Sequence, residues 1–316
     1  MAIDGRYRVH LLNNRLEVDF QPIVNLQTGK VVKAEILARL RDNAGQVIPP
    51  SDFIKEMNNE ELYEVFRQGF ELGIAARKLW LQSGVDLVLS INIPATIVGD
   101  PKYVREIARR LQAGDIAPND LTIEITEADK TDNIDTLYAI INALKSVGVM
   151  TAMDDLGAGY SSLIRLERIP FDDVKIDQGL IREVKKTHAM HITYYLTQLA
   201  KGLGHATTVE GLESVDLVEM AAILGASYGQ GYAIARPMPA SEMVTWYKNY
   251  TWNINIADPA TELGMLTYMY RASQEVCPRQ GVCGGVSTQE VIHATTHLLE
   301  DVQSNAVGVI INRKDA

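Results

Sequence analysis

Leu16-Glu17-Val18-Asp19-Phe20-Gln21-Pro22-Ile23-Val24-Asn25-Leu26-Gln27-Thr28-Gly29-Lys30-Val31-Val32-Lys33-Ala34-Glu35-Ile36-Leu37-Ala38-Arg39-Leu40 decides the fold. It holds two strand-like runs, Leu16 to Pro22 and Val31 to Leu40, rich in apolar residues that suit a pleated surface. Between them, Asn25 to Lys30 is too short for the dozen or so residues that a parallel crossover needs. The two strands are therefore predicted to form an antiparallel hairpin.

Downstream of the hairpin the pattern changes. Short apolar segments at Leu87 to Ile93, Leu121 to Ile125, Val149 to Asp154, Val174 to Asp177, Thr207 to Glu210 and Tyr228 to Tyr232 read as further strands. Stretches of helical period separate most of them, at Glu60 to Gln82, Tyr103 to Gln112, Ile134 to Ser146, Ala189 to Gly202 and Val215 to Leu224, with Ser241 to Tyr247 closing the series. Eight strands interleaved with helices predict an α/β fold over residues 1–250, a TIM-like (β/α)8 barrel with an antiparallel first strand. A doubly wound open sheet is the competing arrangement.

Composition narrows the function. With 30 basic against 40 acidic residues the chain carries a formal charge of -10, which disfavours broad electrostatic binding to a nucleic acid polymer or an anionic membrane. An anionic ligand then needs local help, such as metal ions. Only Cys277 and Cys283 are present, so no disulfide framework supports the barrel region and a reducing, cytoplasmic setting is expected. No run approaches the roughly 18 apolar residues of a membrane span, and Met1 to Arg6 lacks the apolar core of a signal peptide.

The chemistry is written in polar residues placed in or just after otherwise apolar strands: Glu35, Asn92, Glu124, Asp154, Asp155, Lys175, Glu210 and Gln230. Strand ends are where such barrels keep their active sites. One acid there could cap a helix or sit in a paired core position, but most of the strands repeat the feature. Clustered carboxyl and amide oxygens without His or Cys favour a hard cation, Mg²⁺ or Mn²⁺, over zinc. Buried carboxylates would take up protons unless a cation compensated them. Asp154 and Asp155 could feed two ions, roughly 3.5 to 4 Å apart, which would acidify a water and stabilise a phosphoryl leaving oxygen. Lys175 could orient that water or neutralise transition-state charge.

The order of these motifs resembles the EAL family of cyclic di-GMP phosphodiesterases. The resemblance runs through Phe20-Gln21-Pro22, Glu35-Ile36-Leu37-Ala38-Arg39, Ser90-Ile91-Asn92, Ile123-Glu124-Ile125, Asp154-Asp155-Leu156-Gly157 and Val174-Lys175-Ile176-Asp177. It continues through Glu210-Gly211-Leu212-Glu213, Gly229-Gln230-Gly231-Tyr232 and Arg236-Pro237. It implies that Glu35, Asn92, Glu124 and Asp154 hold one ion, that Asp154 and Asp155 hold a second, and that Glu210 completes the shell. Lys175 would hold the attacking water, with Glu35, Asp155 and Glu213 also in the catalytic set, Glu213 by supporting the loop after Asp155. Gln21, Leu37, Arg39, Gln230 and Pro237 would meet the dinucleotide, Arg39 through a phosphate that a guanidinium grips in two places. The implied reaction is hydrolysis of cyclic di-GMP to linear pGpG with two Mg²⁺ or Mn²⁺ ions, in a homodimer that pairs near the Asp155 to Ser162 loop. Calcium is expected to inhibit. The rival is a binding module that holds cyclic di-GMP without cutting it; a scaffold that ignores nucleotides would leave the acidic cluster idle.

Departures from the family pattern are local. Ile36 stands where Ala is usual, and alternation along the strand points its side chain away from Glu35. Met57-Asn58-Asn59 replaces a familiar Ala-Glu pattern. Beyond Tyr250 a mostly helical extension is expected over residues 251–316, with helical period from Leu263 to Val276. Cys277, Cys283, His293 and His297 invite a zinc reading, but the gap between the cysteines is wider than usual. Val286 to Ala316 better resembles the first half of a CBS module, which implies a piece of a larger signalling protein.

Overall fold

Asn25 makes the first hairpin. Its Oδ1 accepts from the backbone N–H of Gln27 at 3.0 Å and of Thr28 at 2.9 Å, and Gly29 at φ 71° turns the chain back. In the computed structural model, which describes residues 11, 15–42, 44–94, 100–126, 134–157, 162–182 and 187–276, this turn joins β1 (Leu16–Asn25) to β2 (Val31–Arg41) in antiparallel register. The predicted hairpin is therefore present.

Parallel strands β4 (Val88–Pro94), β5 (Leu121–Thr126), β6 (Met150–Leu156), β7 (Asp173–Ile176), β8 (Ala206–Val209) and β9 (Tyr228–Gly229) follow β2 in that order around the sheet. Strand β9 pairs with β1 through Val24 and Asn25, which closes an eight-stranded barrel. The open-sheet alternative is excluded by that closure. Two short strands, β3 (Val47–Ile48) on β2 and β10 (Met238–Pro239) on β1, extend the sheet beyond the barrel. Neither has enough residues to show a period of two, so the sequence does not announce them. The last barrel strand is also shorter than predicted, because the chain leaves the sheet after Gly229.

Helices cover the outside. Asn59–Gln82 begins at Asn58, whose side chain accepts from Glu60 and Glu61 while Glu61 reaches back to the Asn58 N–H at 3.0 Å. Asn58, in the Met57-Asn58-Asn59 departure, thus forms a capping box with Glu61 that fixes the helix start. Ser162–Arg168 and Gln178–Arg182 are additional short helices, and Glu262–Val276 realises the helical period of the extension. That last helix packs on Val215–Ile223. Buried Glu219 accepts from the backbone N–H groups of Ala260 at 2.7 Å and Thr261 at 2.9 Å just before it begins. Among the described residues, no helix is long and apolar enough to cross a membrane. Residues 277–316, with the zinc and CBS readings, lie outside the described residues, as do residues 158–161 of the loop assigned to pairing subunits.

Ile36 points outward from the lumen, as alternation requires, and is buried against the Asn59–Gln82 helix. Gly73 makes the room: a Cβ there would lie 2.3 Å from Ile36 Cδ1 but 3.6 Å from Leu89 Cδ1, the next nearest side chain. The two positions should therefore be coupled. Gly73→Ala is expected to destabilise the wild-type chain by about 1 kcal/mol or more through overpacking. In an Ile36→Ala background the same change should stabilise by up to about 1 kcal/mol, because only helix propensity remains. Urea unfolding of the four proteins measures both signs.

Candidate active site

Strand register sets the site before any side chain is considered. Gln21 on β1 is the pairing partner of Glu35 on β2, and Asn92 on β4 is that of Glu124 on β5. Lys175 on β7 and Gln230, just past β9, complete a ring of inward groups at the mouth where the parallel strands end. Asn92 Nδ2 donates to Glu35 Oε1 at 2.7 Å and Gln230 Nε2 to Glu35 Oε2 at 2.7 Å, so two amides fix one carboxylate. Gln21 accepts from Gln230 at 3.1 Å and donates to the Ala235 carbonyl at 3.1 Å.

Lys175 stands at the centre. Its Nζ lies 2.6 Å from Glu124 Oε2, 2.6 Å from Glu210 Oε1, 3.5 Å from Glu35 Oε2 and 3.6 Å from Asp154 Oδ1. Burial opposes its charge, yet Asp154, Glu124, Glu210 and Glu35 together hold the ammonium pKa well above its usual value. The carboxylates divide. Burial, aided by the charge of Glu35, pushes Glu124 up to about 8, and burial likewise pushes Glu210 up to about 8. Asp154 is also raised by burial. Glu35 is lowered, because Lys175 and its two amide donors outweigh its burial.

Asp154 and Asp155 would face opposite sides in a regular strand. Asp155 instead adopts a left-handed φ of 58°, and the β6–β7 register shifts between Met153 and Leu156. Alternation is broken there, so Asp154, Asp155 and Glu210 bring carboxylate oxygens within 4.8 Å of one another. This oxygen-only set suits a hard divalent cation. Asn92 Oδ1 supports the fit: it is buried without a hydrogen-bond partner, an acceptor left for a ligand that is not a donor side chain.

Two cavities flank the cluster and share Leu37, Asp154 and Gln178. One, of about 340 Å³, is polar and is walled by Gln21, Arg39, Glu213, Tyr232 and Pro237 as well as by the cluster. The other, of about 670 Å³, is mainly apolar and reaches Asn92 and Asp155 from the side of Ile54, Leu62 and Phe66. Arg39 faces the polar cavity with its Nε held by Asp19 at 2.9 Å. Glu213 sits at the rim, where Arg182 donates to it at 3.3 Å; residues 158–161 of the loop it is expected to support lie outside the described residues.

Every barrel residue assigned to the site from the sequence lies in the cluster or on these walls. The sequence reading passed over Ser90, whose hydroxyl donates to Glu124 Oε1, although alternation puts it on the same face as Asn92. Arg182, on the polar cavity's wall, and Asp19, which holds Arg39, carry no local mark of either role in the sequence.

The EAL domain family model matches residues 4–237, about three quarters of the chain. The chain belongs to the EAL-domain family. It is 33% identical over 240 residues to the cyclic di-GMP phosphodiesterase RocR of Pseudomonas aeruginosa, covering 74% of this chain and 60% of RocR. It is 28% identical over 250 residues to the cyclic di-GMP phosphodiesterase PdeR of Escherichia coli, covering 78% of this chain and 38% of PdeR. This EAL chain therefore spans less than two thirds of either relative. Its fold matches the structure of PaMucR phosphodiesterase in complex with c-di-GMP with a TM-score of 0.71 at 27% identity, over 77% of this chain and all of that one.

The raised carboxyl groups give this EAL domain a pH signature. Glu124 and Glu210 bind protons more tightly folded than unfolded, so the stability they confer is full below about pH 4.5 and is lost as pH rises toward about 8. Glu35, being lowered, acts only at more acid pH. The metal-free protein should therefore melt at lower temperature at pH 8.5 than at pH 6, and Mn²⁺ should reverse that order. Calorimetry in buffers of different ionisation enthalpy should show about one to two protons released per protein on Mn²⁺ binding at pH 6.5.

Proposed function

We propose that this EAL domain hydrolyses cyclic di-GMP to linear pGpG. The convergence of Glu35, Asn92, Glu124, Asp154, Asp155 and Glu210 around Lys175, beside a cavity that presents Arg39, carries the reading. In the reaction water adds to one phosphorus, the bond to the 3′ oxygen breaks, and that oxygen takes a proton. Glu35, Asn92, Glu124 and Asp154 would hold one Mg²⁺ or Mn²⁺, and Asp154 and Asp155 a second, with Glu210 completing the shell. When bound, these ions supply positive charge that acidifies water and stabilises the leaving oxygen.

The protein's own groups do the positioning. Asn92 and Gln230 hold Glu35 in one orientation, Gln230 being held in turn by Gln21, so its carboxylate need not reorganise as charge develops. Lys175 keeps its proton across neutral pH and offers a fixed N–H donor to the attacking water. Arg39, held at Nε by Asp19 and at Nη1 by the Ala38 carbonyl, keeps its Nη2 N–H groups for a phosphate. Leu37, Gln230 and Pro237 shape the wall against which the dinucleotide lies, and Glu213 supports the loop after Asp155. The working form we propose is a cytoplasmic homodimer that contacts neither nucleic acid polymers nor membranes. Exposed Leu163 and Ile164, next to the Asp155 to Ser162 loop, support pairing at that face.

Incubation with cyclic di-GMP and Mg²⁺ tests the reading. Appearance of pGpG is expected, reduced by at least about 10²-fold in Glu35→Ala and in Asp155→Asn, as for loss of a strong transition-state interaction. Calcium should bind yet inhibit, since its larger and looser shell places water poorly. Binding without product over hours would make the domain a receptor; full turnover with calcium would overturn the metal assignment.

A further inference from the structure

Alternation puts Lys33 with Glu35 on the inner face of β2, and Asp173 with Lys175 on the inner face of β7. Around the barrel these strands are four positions apart, on opposite sides of the lumen. Two ion pairs nevertheless join them. Lys33 Nζ lies 2.9 Å from Asp173 Oδ2, one layer below the 3.5 Å contact between Lys175 Nζ and Glu35 Oε2. The charge order is opposite on the two strands: toward the mouth β2 runs from ammonium to carboxylate, and β7 from carboxylate to ammonium.

The lower pair is sealed from water, with Lys33 at 4% and Asp173 at 2% exposure. Its remaining valences are met inside the barrel. Asp173 accepts from the Thr208 hydroxyl at 2.8 Å and from the Val174 N–H at 2.8 Å, and Lys33 Nζ sits 4.7 Å from the centre of the Tyr228 ring. Such a pair is a poor stabilising device, because replacing both members with apolar side chains is often neutral or better. What it controls is geometry. It tethers the two strands that carry Glu35 and Lys175, setting an ammonium below the carboxylate and a carboxylate below the ammonium.

We propose that Lys33 and Asp173 are positioning residues that orient Glu35 and Lys175 from beneath, a role that rests on the hydrolytic reading of the mouth. Removing the pair leaves Glu35 in the grip of Asn92 and Gln230 but frees β2 and β7 to shift relative to each other, which changes the spacing of Glu35 from Lys175. The metal shell and the water donor then lose their shared alignment.

The double variant Lys33→Met/Asp173→Leu removes both charges, strands no buried ion, and should melt near the wild-type temperature. Its kcat on cyclic di-GMP is expected to fall about tenfold with KM within about threefold, and its Mn²⁺ affinity, read by calorimetry without substrate, to weaken about tenfold. The exchanged variant Lys33→Asp/Asp173→Lys restores a tether with reversed charge order and should remain impaired in both measurements. Wild-type kcat and Mn²⁺ affinity in the folded double variant would overturn the proposal, as would recovery of both in the exchanged variant. If the exchanged chain does not fold, the double variant decides alone. Should the wild-type protein bind cyclic di-GMP without cutting it, the hydrolytic reading fails, and the Mn²⁺ measurement still decides whether Lys33 and Asp173 position the site.

Discussion

Several carboxyl groups are held in one barrel mouth with Lys175 among them, and that electrostatic constraint organises the rest of the molecule. Lys175 contacts four of them. Burial, and then the excess of carboxylates over one ammonium, leave Glu124 and Glu210 holding protons near neutral pH. A divalent cation offers the other solution, and the broken alternation at Asp154 and Asp155 collects the oxygens for it. On the hydrolytic reading, protons and a divalent cation would compete for these oxygens, and the site's charge state would depend on pH and ion supply together.

Holding such a cluster requires a wall that does not yield. The barrel closes only because β1 runs against both β2 and β9, and the hairpin around Asn25 and Gly29 imposes that reversal locally. Outside, Ile36 locks into the space left by Gly73, on the face of β2 opposite Glu35. Inside, Glu35 is gripped by Asn92 and Gln230. One strand is thus fixed by packing on its outer face and by polar contacts on its inner face, which leaves the carboxylate little freedom to lower its energy by moving away.

Much of this is legible in the sequence, and the reasons differ by feature. Closely spaced strands need a hairpin, so the reversed first strand follows from the length of one link. Polar residues at strand ends stand out against apolar runs, so the inward cluster is visible at Glu35, Asn92, Glu124 and Lys175. Short elements such as Met238–Pro239 and Ser162–Arg168 carry too few residues for a period to show. The capping box at Asn58 is legible from its three-residue spacing to Glu61, and it lies within the Met57-Asn58-Asn59 departure from the family pattern. Lys33 and Asp173 were hidden for another reason: each is an ordinary charged residue locally, and only barrel closure sets β2 opposite β7.

The described part of the C-terminal extension is tied to the barrel through one of its outer helices. Glu219 lies on Val215–Ile223, the helix that follows Glu210 and Glu213, and it is buried with its carboxylate turned to the chain entering Glu262–Val276. Gly264 permits this approach, because a Cβ there would lie 2.0 Å from Glu219 Oε2. A buried carboxylate gives up its water only for well-formed donors, and here it receives the backbone N–H groups of Ala260 and Thr261 and the Thr261 hydroxyl. Separating the extension from the barrel would strip those donors and expose the Glu219 carboxylate to water. The extension is therefore held by the same rule that governs the mouth: a carboxylate is tolerated inside this fold only where its charge has been answered.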